Sequence, residues 1–131
     1  MKRISNLLIA FVAIEHILFL IMEMFLWQTP FVIQRFNMTE QIAKDSALLA
    51  MNQGLYNGFL AAGLIWSLLI RSYVEQAFKI KLFFLSCVVI AGIFGALTVK
   101  ISILVIQALP ALIGLVVVYL SKPQENYDVV I

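Results

Sequence analysis

Four stretches of the chain are almost uninterrupted in apolar residues: 4–27, 47–70, 80–99 and 101–120. A helix rises about 1.5 Å per residue, so about 20 mainly apolar residues cross a hydrocarbon layer about 30 Å thick. Each stretch meets that length. The pattern predicts an all-α fold, an integral membrane four-helix bundle, with residues 1–131 forming a single transmembrane domain. Residues 28–46 are expected to form an outer loop. Residues 121–131 read as a polar tail after Pro123, expected to be disordered.

Composition strengthens that reading. The 131 residues are 63% hydrophobic and 12% charged, with mean hydropathy +1.04. Soluble domains carry about 25% charged residues, so this chain lacks the charge to cover a water-facing surface. The first stretch follows Met1-Lys2-Arg3, as a secretory signal would. It is too long for one, holds two carboxylates, and has no small-residue cleavage site before Trp27, so it is read as a retained helix. Cys87 has no second cysteine to pair with and reads as a small apolar filler.

Charge sets the expected orientation. Lys2, Arg3, Arg71, Lys79, Lys81 and Lys122 fall on the side shared by both termini; Arg35, Lys44 and Lys100 fall on the other. Six cations against three predict cytoplasmic termini. The net charge of +2 offers no basic face for nucleic acid. The basic segment 71–79, with Glu75, reads as a solvated turn. In the outer loop, Pro30 disfavours helical geometry at Thr29, and Thr39 reads as the N-cap of a helix through Ile42 and Ala43. Asn37-Met38-Thr39 fits the glycosylation pattern and is read as chance outside a secretory eukaryote. Trp27 reads as an interfacial anchor, and Lys100 as a snorkelling interfacial lysine.

The polar residues inside the apolar stretches are the candidate chemistry. Glu15, His16, Phe19 and Glu23 lie within roughly one third of the helix circumference. A charged side chain at mid-membrane costs at least about 2.5 kcal/mol. The two carboxylates are therefore expected to face the interior, to be neutral, or to pair with each other and with His16. On the second stretch Gln53, Tyr56 and Asn57 share a face flanked by Asn52. Gly54, Gly58 and Ala62 form a small-residue ridge for close helix approach. By depth, Asn52 and Gln53 match Glu23, and Asn57 matches His16. Gly92 and Gly95 read as packing residues, Ser86 and Thr98 as side chains bonding their own helix, and Ser102 as a cap. Pro110 should kink the last helix and free the Ile106 carbonyl beside Gln107. No internal repeat is visible.

These residues exclude some chemistry. There is one histidine and no paired-ligand spacing, so no metal site is expected. No serine or cysteine adjoins His16 as an activated nucleophile. No cofactor is implied. Acid–base work stays open, since a buried carboxyl beside amides feels burial and hydrogen bonding as opposed effects.

Glu15-His16, Glu23-Met24-Phe25-Leu26-Trp27, the run Asn52-Gln53-Gly54-Leu55-Tyr56-Asn57-Gly58 on to Leu64, and Gln107-Ala108-Leu109-Pro110 together resemble the domain-of-unknown-function 1304 family. Gly92 and Gly95 also fit. The resemblance implies a small bacterial four-helix protein of the cytoplasmic membrane. It also implies that Glu23, Asn52, Gln53, Asn57 and Gln107 belong to a shared pattern, and it carries no function.

Two functional readings follow, beside a structural or accessory subunit. The first is a proton-coupled small-molecule transporter or permease, with Glu15 or Glu23 as the exchanging carboxylate; the small multidrug exporters are similar in size. The second is a membrane enzyme with isomerase-like acid–base chemistry on a lipid-like substrate. The substrate or proton-binding candidates are Glu15, His16, Glu23, Asn52, Gln53, Tyr56, Asn57 and Gln107. The expected partners are membrane lipids, a second copy of the chain and a small apolar or amphipathic ligand.

Overall fold

A computed structural model describes residues 2–123; the expectation for the polar tail beyond Pro123 lies outside the described residues. Every regular element among them is helical. The first long helix, α1, runs Lys2–Phe25. Two short helices follow, α2 over Pro30–Phe36 and α3 over Glu40–Asp45. Helix α4 runs Ala47–Leu69 and α5 runs Val74–Thr98. The last rod begins near Ser102, is π-wound over Leu104–Ala108, and continues as α6, Leu109–Leu120.

The sequence predicts an irregular loop over 28–46, with one helix start at Thr39. The start is there, with the Ile42 N–H donating to Thr39 Oγ1 at 3.2 Å. Helix α2 is additional. Thr29 is extended at φ −76°, ψ 150°, as a residue before proline should be. Pro30 occupies the first turn, where its missing N–H costs nothing. Asn37 ends α2 in the left-handed conformation, φ 53°, which asparagine tolerates. Trp27 is not solely an interfacial anchor: its indole N–H donates to Ser46 Oγ at 2.9 Å and its ring lies 5.2 Å from that of Phe36. The tryptophan thus ties both ends of the connection together. Lys100, rather than only snorkelling, donates to the Arg35 carbonyl at 3.0 Å, in the last turn of α2, where a cation meets the negative end of the helix dipole.

The segment 71–79 also differs from expectation. Helix α5 starts at Val74, inside the predicted basic turn. Lys79 pairs with Glu75 at 2.6 Å, four residues apart, a spacing that supports a helix. The polar side chains hide the helical period here because both are solvated.

The long helices pack α1 on α4, α4 on α5, α5 on α6 and α6 on α1. Successive rods run in opposite directions, so levels can be matched across them. The apolar core joins Ile9, Val12 and Ala13 of α1 with Leu64 of α4, Leu85 and Val88 of α5, and Ala111 and Val118 of α6. It occupies the half nearer the two ends of the described chain. The outer surface is also apolar: Leu7, Leu48, Phe83, Ile90, Leu97 and Val105 are all exposed. Two helices, α1 and α5, are long and apolar enough to cross a membrane, and only 22% of each apolar window is buried. In α4, which is 23 residues long, Asn52, Gln53 and Asn57 lower the hydropathy.

Glycines set two close approaches. A Cβ on Gly54 would lie 2.6 Å from Met24 Cγ, 3.1 Å from the Leu20 carbonyl oxygen and 3.2 Å from Glu23 Cβ. A Cβ on Gly92 would lie 2.7 Å from the Ala108 nitrogen and 2.8 Å from its Cβ. The predicted ridge holds at Gly54 and Gly58, both turned to α1, but Ala62 is exposed and Ala61 is buried in its stead. Four residues make slightly more than one 3.6-residue turn, so the contact line drifts to the preceding residue.

Pro110, the position of the predicted kink, lies in the first turn of α6, directly after the π-wound segment. The Leu109 N–H bonds the Leu104 carbonyl, five residues back. Shifting bonds to this longer spacing accommodates the proline's missing donor with a local π-turn. The turn into the rod uses backbone bonds, Ile103 N–H to the Lys100 carbonyl at 2.9 Å and Leu104 N–H to the Ile101 carbonyl at 3.1 Å, where a Ser102 cap was expected.

Because Gly92 meets backbone, Gly92→Ala should destabilise the fold by about 1–3 kcal/mol, the usual range for overpacking. Gly114→Ala should be neutral or stabilising. Its Cβ would meet only Leu85 and Leu8 at 3.5–3.9 Å, and alanine is the better helix former by about 1 kcal/mol. Melting temperatures of the two variants in detergent check this ordering; equal values would remove the close approach.

Candidate functional site

The polar side chains lie above the apolar core, towards the end that carries α2 and α3. Helix α1 supplies three of them. Its buried face runs through Ser5, Ile9, Val12, Ala13 and His16. His16 sits at the centre of that face, Glu23 close to it two turns on, and Glu15 about 100° away on the flank.

Glu23 is held by α4. Asn57 Nδ2 donates to Glu23 Oε2 at 2.7 Å and also to the Gln53 carbonyl at 3.3 Å. Both neighbours are acceptors, which fixes which end of the amide is nitrogen. The pairing depends on Gly54, one turn before Asn57, where an added Cβ would lie 3.2 Å from Glu23 Cβ. Without a side chain there, the α1 backbone comes close enough for a short carboxylate to reach a short amide.

His16 is fully buried. Its Nδ1 lies 2.8 Å from the Val12 carbonyl, which only accepts, so Nδ1 carries a proton. Gln107 Nε2, in the π-wound segment, lies 3.4 Å from His16 Nε2. An amide donating to the ring lone pair fits a neutral imidazole with the proton on Nδ1. The edge of the ring also meets Phe19, with centroids 5.5 Å apart. Both ring nitrogens are therefore engaged.

Glu15 is the exception. Its Oε2 is buried and has no hydrogen-bond partner among the described residues. It pairs with neither His16 nor Glu23.

The predicted single stripe thus separates into three arrangements: Glu23 with Asn57, His16 with Gln107 and Val12, and Glu15 alone. Of the three alternatives for the carboxylates, pairing with each other and with His16 does not occur: eight residues put Glu15 and Glu23 about 12 Å apart along the axis, and Glu15 points about 100° away from His16. The expected levels shift as well. Asn57, not Asn52 or Gln53, meets Glu23, and Gln107 meets His16. Asn52, Gln53 and Tyr56 lie on the exposed side of α4. The buried line of α4 passes through Ala50, Gly54 and Ala61, so only Asn57, half-buried beside that line, turns inward. Among the described residues no three of His, Cys, Asp and Glu gather as a metal site would require.

A second polar group lies at the opposite end of the rods and has no counterpart among the sequence candidates. Lys81 Nζ donates to Asn6 Oδ1 at 2.8 Å, near the buried Ser5 and Ser67. Lys81 enters the sequence reading only as a topological charge. No spacing rule links it to Asn6, 75 residues away.

Comparison with known proteins adds a family but no chemistry. The "Uncharacterized protein YpaA" of Lactococcus lactis subsp. lactis (strain IL1403) is 25% identical over 118 residues, covering 88% of this chain and 97% of that protein. No solved structure matches. A family model described as "Protein of unknown function (DUF1304)" matches residues 10–119, a span that includes every residue of the three polar arrangements, and the chain belongs to that family.

Proposed function

We propose that this chain is a four-helix integral protein of the bacterial cytoplasmic membrane with both termini cytoplasmic. Its carboxylate–amide layer would serve as the proton-exchanging site of a small transporter or permease. Support for the membrane placement comes from the two long apolar helices, the apolar exterior and the six-to-three distribution of Lys and Arg between the two ends. The rod from 102 to 120 and α4 are each long enough to span hydrocarbon at about 1.5 Å per residue.

The observation that carries the transport reading is the unpartnered Glu15 Oε2. An uncompensated carboxylate in an apolar setting is costly. It is relieved by taking up a proton or by meeting a donor on a ligand, and these are the two events that a proton-coupled carrier exchanges. Glu23 already has Asn57 and acts beside it as a hydrogen-bonded second carboxylate. The cargo would be a small apolar or amphipathic molecule. The isomerase-like reading draws less support, since His16 is fully buried and bonded at both nitrogens and has no free nitrogen for a substrate. Asn52, Gln53 and Tyr56, exposed on α4, would be covered by a second copy, because amides in hydrocarbon seek partners across helices.

A reporter fused after Lys122 should be active only on the cytoplasmic side; periplasmic activity would reverse the orientation. Glu15→Gln and Glu23→Gln should both insert and melt like wild type in detergent, while proteoliposomes lose substrate-dependent proton flux. Glu23→Ala, which strips Asn57 of its acceptor, should also lose stability, by about 0.6 and at most about 2 kcal/mol. A folded Glu15→Gln that retains full coupled flux would end the assignment of Glu15 as the exchanging group. Lipid composition that changes on deletion, with no flux, would turn the reading to the enzyme.

A further inference from the structure

At the end of the molecule opposite Glu23, the helix ends line a half-open cavity of about 510 Å³. The first turns of α1 and α5 and the last turns of α4 and α6 surround it. Lys2, Arg71 and Lys81 line it, and no carboxylate among the described residues does. None of the three cations has an ion-pair partner among the described residues; the Lys79–Glu75 pair lies outside the cavity. Asn6 accepts from the Lys81 ammonium at 2.8 Å, which aims that side chain and leaves two of its three donors to spare. Ser5, almost fully buried, adds a hydroxyl to the floor; the Ser67 hydroxyl beside it already donates to the Leu64 carbonyl at 2.6 Å.

Like charges gathered around a recess repel one another unless an anion joins them, and apolar walls such as Phe78 and Val118 strengthen that field. Membrane topology accounts for cations at this end, but it needs them turned to the headgroups, not set around a cavity between helix ends with the buried Ser5 hydroxyl beneath. We propose that this cavity binds a phosphate-bearing anion. Its volume falls in the range of small-molecule sites, about 300–1,000 Å³, and so accommodates a phosphate ester. Arg71 supplies a planar fork for two phosphate oxygens, and Lys2 and Lys81 supply point charges. The ester is either a soluble phosphate monoester or the headgroup of an anionic phospholipid, for which basic recesses between membrane helices are suited. The headgroup source rests on the membrane placement proposed above; the soluble source does not.

The test uses the full chain in phosphatidylcholine nanodiscs, titrated with glycerol 3-phosphate while the melting temperature is read. In parallel, native mass spectrometry follows retention of phosphatidylglycerol. A rise in melting temperature with glycerol 3-phosphate identifies a soluble ester; retention of phosphatidylglycerol without that rise identifies the headgroup. In either case Arg71→Gln and Lys2→Gln, both at exposed positions, should each weaken binding about fivefold, the equivalent of about 1 kcal/mol per cation. Lys44→Gln, at the other end of the molecule, should leave it unchanged. Binding of neither probe overturns the proposal, as does equal weakening by Arg71→Gln and Lys44→Gln, which would mark a general surface charge effect.

Discussion

A carboxylate inside an apolar helix needs a donor on a neighbouring helix, and in this protein that requirement joins α1 to α4. Glu23 reaches Asn57 at 2.7 Å only because Gly54 lets the two backbones approach. The hydrogen bond and the glycine depend on each other. A larger residue at 54 would part the helices and strand both polar groups, while loss of the amide would leave a carboxylate in a contact too close for water to fill. The α1–α4 contact is the most extensive between elements, and it brings the polar layer and the small-residue ridge together in one seam.

From that seam the structure sorts its side chains by level. The core of Ile9, Val12, Leu64, Leu85, Val88 and Ala111 sits in the half near the described chain ends, where the buried polar residues are the serines Ser5 and Ser67. Above it, His16 takes a position an apolar residue would otherwise fill. It is tolerated because Val12 and Gln107 engage both ring nitrogens. Gln107 can do so because it lies in the π-wound turn before Pro110, and Gly92 admits Ala108 of the same turn against α5. One proline thus has consequences on two neighbouring helices. Below the core, the rod ends line the cavity that carries Lys2, Arg71 and Lys81.

The four apolar rods were legible from the sequence because their signal is local. Length and hydropathy over about 20 residues need no partner to be read. The Thr39 cap was legible for the same reason, as were Glu15, His16 and Glu23 as charged or ionisable residues in apolar surroundings. Helix α2 and the first turns of α5 were not, since their polar residues face outward and short segments carry little periodic signal.

Which polar groups meet was decided only by tertiary structure. Depth counted along each helix pairs Glu23 with Asn52 and Gln53, but the rotation of α4 about its axis is set by where Ala50, Gly54 and Ala61 can pack. That rotation turns Asn57 inward and leaves Asn52, Gln53 and Tyr56 exposed. The isolation of Glu15, 100° from His16 on the same helix, follows from the same choice of buried face. Lys81 and Asn6 meet because α1 and α5 begin at one end of the molecule, a fact of topology that no local pattern encodes. The sequence alone determined that ionisable groups would sit among apolar helices; helix rotation and register, fixed by packing of small residues, decided which of them found partners.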